Sequence, residues 1–123
     1  MITINNNPDV ALLKLTKEIL FSLVNHEFGI ILGKLSHEYG KWTKERINDE
    51  LLRSTNGKWV SEFVSILKPA NPEISGDENM YEYKHRIPVN GGWSNSQIIL
   101  RIHKKFASSY AIELVGFSKL NAS

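Results

Sequence analysis

The first half of the chain carries apolar residues at intervals of three and four positions, the spacing that places them on one face of a helix. Asn7, Pro8 and Asp9 form a favourable start, because Asn caps helices, Pro suits the first helical position and an acidic charge interacts well with the helix dipole. The pattern predicts a long core helix through residues 10–24. Glycines at 29 and 33 predict a break, and three to four helices are expected in all, the later ones at residues 30–39, 43–53 and 58–67.

The second half of the chain alternates apolar and polar residues, which is the pattern of half-buried β-strands. A glycine-containing loop at 90–96 and a three-residue turn at 107–109 separate the alternating segments. A short alternation at residues 1–5 allows an additional N-terminal edge strand. Three main strands are therefore predicted, at residues 81–89, 97–106 and 110–119.

These elements predict an α+β fold in which N-terminal helices pack on one face of a C-terminal three-stranded antiparallel meander. The length of the chain suits a single domain, residues 1–123. Leu20 and Phe63 from the helices and Leu100 from the sheet are expected to be almost completely buried between the two layers. The expected organisation is a helical half at about 8–67, a loop with Pro and Gly at 68–79 and a sheet half at 80–119.

The chain contains no cysteine, which excludes disulfides, thiolate metal sites and cysteine catalysis. Its longest apolar runs are far too short to cross a bilayer, and no signal peptide is recognisable, so we expect a cytoplasmic protein that does not engage membranes. No phosphate-binding glycine loop or serine nucleophile motif is present. His26 and His37 are too far apart on a helix to share an ion. We therefore predict no cofactor and no metal site.

Charge is distributed unevenly along the chain. Residues 1–80 contain nine Lys or Arg and eleven Asp or Glu, whereas residues 81–123 contain six and two. The sheet half is thus the basic half, and this is the best indication of a polyanionic partner. A solvated basic face without a function is equally compatible with the sequence.

The polar face of the predicted sheet carries the residues of greatest chemical interest. A three-residue turn at 107–109 would pair Phe106 with Tyr110 and so place His103 directly opposite Glu113, where the two side chains can touch. Cations and carboxylates surround this pair on the same face, namely Glu82, Lys84, Arg86, Arg101, Lys105 and Lys119.

A carboxylate and an imidazole among fixed cations have the parts needed to cleave RNA without a metal. Glu113 would take the proton from the ribose 2′-hydroxyl, and His103 would donate a proton to the leaving oxygen. Arg101 would stabilise the charged transition state. The plainer interpretation is that these residues form solvated cross-strand pairs. Further contacts with nucleic acid would come from Lys84, Arg86, Trp93 and Lys105.

Helices followed by a sheet that bears basic and acid–base residues resemble the layout of small bacterial ribonuclease toxins of the RelE and barnase type. The resemblance lies in the order of the elements and in residue types, and it includes no diagnostic motif. The helical part is also longer than a RelE-type toxin needs. The resemblance implies an activity on RNA.

Two classes of function remain open from the sequence. The first is a nucleic-acid-interacting module, directed at RNA rather than DNA and in its sharper form a metal-free ribonuclease. Helices 43–53 and 58–67 could suggest a helix-turn-helix, but the second helix offers no arginine for the major groove. The second class is a non-catalytic protein-binding module, such as an inhibitor, immunity or accessory protein, which would use the sheet face and Trp93. The tryptophan either stacks on a partner or folds back over the core. The sequence decides neither whether the protein is an enzyme nor its oligomeric state.

Overall fold

The computed structural model of the chain describes residues 1–5, 7–62 and 72–120. A two-residue strand opens the chain, helices occupy most of the first half, and longer strands fill the second half. In chain order the elements are β1 (Ile2–Thr3), α1 (Pro8–Val24), α2 (Phe28–Lys34), a 3-10 helix (His37–Tyr39), α3 (Lys44–Ser54), β2 (Glu73–Asp77), β3 (Met80–Val89), β4 (Gly92–Phe106) and β5 (Ser109–Lys119).

Local capping determines where α1 and α3 begin. The Asn7 side chain accepts a hydrogen bond from the Val10 backbone N–H at 3.4 Å, and Pro8 occupies the first position of α1. The Thr43 hydroxyl accepts one from the Arg46 backbone N–H at 3.1 Å. Both helices therefore start where the cap residues predict.

The helix predicted at 30–39 is instead two short helices. α2 begins earlier, at Phe28, and the backbone of Leu35 and Ser36 is extended before the 3-10 helix. The Ser36 N–H donates to the Ile112 carbonyl of β5 at 2.8 Å. A hydrogen bond to the sheet thus interrupts the helix that apolar spacing alone favours.

The prediction of a helix at 58–67 is wrong for its first half, because residues 58–62 are not helical. The Trp59 indole N–H donates to the Leu23 carbonyl of α1 at 3.0 Å, and the Ser61 N–H donates to the Pro88 carbonyl of β3 at 2.9 Å. These contacts hold the segment between α1 and the sheet. The second half of the predicted helix, including Phe63, lies outside the described residues.

The sheet has five antiparallel strands in the order β1-β5-β4-β3-β2 and is curled into a half-barrel. The predicted three-stranded meander is therefore wrong, because the sheet has five strands and β2 was not predicted at all. β1 is the N-terminal edge strand that the alternation at residues 1–5 allows. β2 lies within the stretch predicted as a loop at 68–79, and all of its residues are exposed, so no alternation of apolar residues reveals it. Its hairpin with β3 depends on Gly76, which has a φ of 91° and where a Cβ would collide with the Met80 carbonyl.

The loop predicted at 90–96 is much shorter in the structure. Asn90 and Gly91 form a two-residue turn with φ of 53° and 78°, and β4 begins directly afterwards at Gly92. Two consecutive residues with positive φ suit the right-handed twist of a hairpin, and Asn-Gly is the favoured pair for this turn. The remaining residues of the predicted loop belong to β4.

The hydrophobic core lies between the helices and one face of the curled sheet. Leu20 of α1 and Leu100 of β4 are 1% and 0% exposed, as the sequence predicts. The core combines residues from all three α-helices with residues of β3, β4 and β5. The opposite face of the sheet is therefore left for polar side chains.

Truncation in this core should be costly. Leu100→Ala should lower the free energy of unfolding by about 2–5 kcal/mol, because it leaves a cavity among fully buried side chains. Phe106→Ala is the matched control, since Phe106 is 64% exposed, and it should change that free energy by less than about 0.5 kcal/mol. Urea denaturation of both variants measures the difference, and equal losses would contradict the assignment of the two faces.

Candidate functional site

The candidate site lies on the sheet face opposite the core, which we call the outer face. Directly paired residues of neighbouring strands point to the same side of a sheet, and the register pairs Glu73 with Lys84, Glu82 with Arg101, and Arg101 with Glu113. The residues that alternate with these along the strands, such as Leu100, are buried in the core. The titratable residues of the outer face are thus Glu73, Asp77, Glu82, Lys84, Arg86, Arg101, His103 and Glu113.

At residues 100–104 of β4, the predicted register with β5 is wrong by two residues. His103 lies opposite Ala111, and Arg101 lies opposite Glu113. The turn contains two residues instead of three, and an extra residue, Lys105, bulges from β4 beside it. Because the displacement is even, the side chains of residues 100–104 and 110–114 stay on their predicted faces. A second irregularity between Ile99 and Leu100 makes the displacement odd farther along, so Lys119 lies opposite the buried Ser96 instead of on the predicted polar face.

His103 and Glu113 nevertheless make contact, as diagonal neighbours across β4 and β5. The His103 Nε2 and Glu113 Oε1 atoms are 2.8 Å apart, and the two side chains are 21% and 19% exposed. Diagonal neighbours in a sheet are within reach of long side chains. The sequence therefore identified the pair correctly while placing it in the wrong register.

Tyr39 of the 3-10 helix covers one side of the His103 imidazole. The two rings are stacked, with centroids 3.9 Å apart and planes 11° from parallel. The Lys105 ammonium lies 5.0 Å from the Tyr39 ring and 2.6 Å from a Glu38 carboxylate oxygen. This hydrogen bond to Glu38 raises the pKa of Lys105 above its usual value. Tyr39 and Glu38 were missed from the sequence because the segment was assigned to a helix with no link to the sheet.

Most cations of the outer face are already paired with carboxylates. The Glu82 carboxylate lies 3.1 Å from the Arg101 Nε and 3.6 Å from the Lys84 Nζ. Arg86 is exposed, and the described residues give it no ion pair. The predicted phosphate-binding residues thus occupy one face, but they share it with acidic partners.

Charge on and around the outer face is mixed. Four cations, Lys84, Arg86, Arg101 and Lys105, stand beside five carboxylates, Glu38, Glu73, Asp77, Glu82 and Glu113. The remaining cations of the sheet half have other partners, since Lys104 lies 3.9 Å from Glu78 and Lys119 donates to Asn56. Carboxylates of β2 and of the 3-10 helix lie on and around the outer face, and they therefore offset the excess positive charge of residues 81–123.

Trp93 does not join the outer-face cluster. It pairs with Pro88 near the start of β4, and its ring meets the His85 ring edge-on at 5.4 Å. Ten residues separate Trp93 from His103, which is about 30 Å along a strand. Since His85 is buried, Trp93 packs at the border of the core, and only part of its side chain is exposed.

The described residues also bear on metals, membranes and DNA. In this part of the chain no three His, Asp or Glu side chains are grouped so that they could hold a metal ion. Within residues 1–5, 7–62 and 72–120, no helix is long and apolar enough to cross a membrane.

The His26 ring stacks on the Trp59 ring, with centroids 4.7 Å apart, so His26 packs the end of α1 against the segment that follows α3. The second helix of the suggested helix-turn-helix is absent at residues 58–62.

The arrangement around His103 has a defined chemical capacity. A carboxylate hydrogen-bonded to an imidazole orients the ring. With the Nε2 atom engaged by Glu113 and one ring face covered by Tyr39, the imidazole is held in a fixed position. The outer face can therefore present a rigid set of donors and acceptors to a partner.

Burial of His85 predicts a pH dependence of stability. The side chain is 2% exposed, and burial lowers its pKa from the usual 6.5, with the Lys17 charge acting in the same direction and the hydrogen bond to the Arg86 carbonyl opposing it. The unfolded chain then takes up a proton at higher pH than the folded one. The stability that the folded protein gains by keeping His85 neutral is fully present above pH 6.5 and is lost as the pH falls below that value.

His85→Gln should therefore flatten the fall in the free energy of unfolding between about pH 7 and pH 5. His37→Gln, at an exposed histidine, is the control and should keep the slope of the parent protein. Denaturant titrations at several pH values measure both slopes. An unchanged slope after the His85 substitution would show that burial does not hold this imidazole neutral.

Comparison of the chain with protein family models, with curated proteins and with solved structures finds no match.

Proposed function

We propose that the protein is a non-catalytic protein-binding module, such as an inhibitor, immunity or accessory protein, and that the outer face is its interface. The observation that carries this proposal is the mixture of charge there, with four cations and five carboxylates on and around one open sheet face. A protein partner can offer complementary charges of both signs, whereas a polyanion offers one. We propose the cytoplasm as its location, since a chain without cysteine needs no oxidising compartment.

Fixed side chains support a role in binding. Glu82 holds Arg101 and Lys84, and Tyr39 and Glu113 hold His103. Side chains that are ordered before association lose less conformational entropy when a partner arrives. Arg and Tyr are also among the residue types that contribute most to protein interfaces.

The same charges disfavour a nucleic acid on this face. A phosphate beside Arg101 would also approach the carboxylates of Glu82 and Glu113. Each exposed ion pair is worth only about 0–1 kcal/mol, so separating one is feasible. A face with at least as many carboxylates as cations, however, has no positive net field with which to attract a polyanion over a distance.

Charge reversal tests the interface directly. Arg101→Glu should weaken capture of a stoichiometric protein partner by at least about tenfold, because it opposes the charge that the partner presents to this position. Lys41→Glu, an equal charge reversal at an exposed position in the helical half, should leave capture unchanged. The measurement is affinity capture from a nuclease-treated lysate of the source organism, with urea denaturation to show that both variants are folded. Capture that is equal for both variants, or that disappears with nuclease, would count against the proposal.

A second candidate is an RNA-directed module that acts as a metal-free ribonuclease of toxin type. The hydrogen bond between His103 and Glu113 favours it, because it brings an acid–base pair together beside Arg101. The 2.8 Å contact leaves no room for a phosphate between the two groups, so the pair would have to separate when RNA binds. Phosphate contacts would come from Lys84, Arg86 and Lys105.

This candidate predicts RNA cleavage by the purified protein in the presence of a chelator. His103→Ala should abolish cleavage while RNA binding persists, since chemistry and phosphate contact use different residues. His37→Ala is the control and should cleave normally. Replacing Arg101 and Lys105 together by Ala should flatten the dependence of RNA affinity on salt by roughly two. Intact RNA together with no binding at low salt would exclude this candidate and leave the protein-binding proposal untouched.

A further inference from the structure

A polar cavity lies where the β3–β4 hairpin, the end of β5 and the C-terminal end of α3 meet, and its volume is about 390 Å³. Three amide side chains and two lysine side chains line it, those of Asn56, Asn90, Asn95, Lys58 and Lys119. Serine and threonine residues of α3 and β4 contribute further polar surface. Of the residues that the structure describes, no Asp or Glu takes part in the lining. The cavity therefore offers hydrogen-bonding groups and positive charge together.

Hydrogen bonds between the three segments hold the walls of this cavity in place. The Leu120 N–H donates to the Asn95 carbonyl at 2.7 Å, which fixes the end of β5 against β4. The Ser54 and Ser96 hydroxyls are 2.6 Å apart, and this buried contact joins α3 to β4. A small molecule can bind to such ordered walls with little rearrangement of the protein.

The two lysines of the cavity lack a carboxylate partner within the described part of the chain. Lys58 makes no ion pair there, and the Lys119 ammonium donates to the neutral side-chain oxygen of Asn56. An ammonium group has three N–H donors, so Lys119 keeps two for a ligand. The other lysines of the sheet half are all paired with carboxylates, namely Lys84, Lys104 and Lys105.

The charges around the cavity leave it positive. Arg53 and Glu50 line a neighbouring depression that shares Lys119 with the cavity. The Glu50 carboxylate is already bound by the Arg46 Nε at 2.7 Å, whereas Arg53 has no ion pair with any described residue. Carbonyls of the last turn of α3 add partial negative charge, but side-chain hydroxyls bond some of them. Three cations thus face one carboxylate that has its own partner.

We propose that this cavity binds a small hydroxylated phosphate ester, such as a sugar phosphate. The Lys119 and Lys58 ammonium groups would bind the phosphate through charge-assisted hydrogen bonds. An amide both donates and accepts hydrogen bonds, so Asn56, Asn90 and Asn95 suit the hydroxyl groups of a sugar. Ligand pockets measure about 300–1,000 Å³, so the volume suits a molecule of this size and exceeds the need of a bare phosphate.

This site is separate from the outer face. Ser96 of the cavity and His103 of the outer face are seven residues apart on β4, which is roughly 24 Å along a strand. Binding in the cavity therefore requires neither the protein partner nor the RNA considered above. Failure of one proposal would leave the other intact.

The test titrates glucose 6-phosphate, glucose and inorganic phosphate separately into the full chain and follows backbone amide signals by NMR. Glucose 6-phosphate should bind at least about tenfold more tightly than the other two probes, because it alone offers a phosphate to the lysines and hydroxyls to the amides. The largest shifts should occur at Asn95 and Lys119, far from His103.

Three variants separate the two kinds of contact. Lys119→Gln removes the charge but keeps a donor for Asn56, and it should weaken binding of glucose 6-phosphate by at least about tenfold. Asn95→Leu should weaken binding of glucose 6-phosphate and leave the affinity for inorganic phosphate unchanged. Lys14→Gln, at an exposed lysine of α1 outside the cavity, is the control and should bind like the parent protein. Urea denaturation shows that each variant is folded.

Two results would overturn the proposal. Inorganic phosphate that binds as tightly as glucose 6-phosphate would show that the amides do not receive a sugar. No binding of glucose 6-phosphate, or equal binding by the parent protein and Lys119→Gln, would show that the cavity is not an anion site.

Discussion

Backbone carbonyls on the free edge of β5 require hydrogen-bond donors, and the outer face depends on how they obtain them. β1 covers only the beginning of that edge. Further along, the Ser36 N–H binds the Ile112 carbonyl and the Trp42 indole N–H binds the Leu114 carbonyl, each at 2.8 Å. The chain between these two bonds contains the 3-10 helix that stacks on His103. The hydrogen bonds that satisfy the free edge of β5 therefore also hold the 3-10 helix, and with it Tyr39, against the His103 imidazole.

The elements predicted well from sequence are those specified by neighbouring residues. Asn7 and Thr43 cap the helices that they precede, and alternation identifies β3 and β5. Two of the misses involve distant contacts. β2 is exposed throughout and forms because it pairs with β3, and the segment after α3 follows the hydrogen bonds of Trp59 and Ser61 instead of its helical spacing. Neither kind of contact has a local signal.

The candidate site was only partly predictable for the same reason. Residue types identified His103 and Glu113, and the even displacement of the register kept them close enough to touch. The charge of the site was not predictable by adding charges along the sheet half, because Glu38 and Glu73 belong to segments outside it. These two carboxylates change the charge of the face from mainly positive to mixed.

The hairpin between β4 and β5 also limits how this protein can change during evolution. Gaining or losing two residues exchanges cross-strand neighbours but leaves each side chain on its own face. A change of one residue would turn Ile112 and Leu114 toward solvent and Glu113 toward the core, unless a bulge such as that at Lys105 restored the alternation. Hairpin length can therefore drift in even steps, and each step would give Glu113 a new neighbour while the core stays intact.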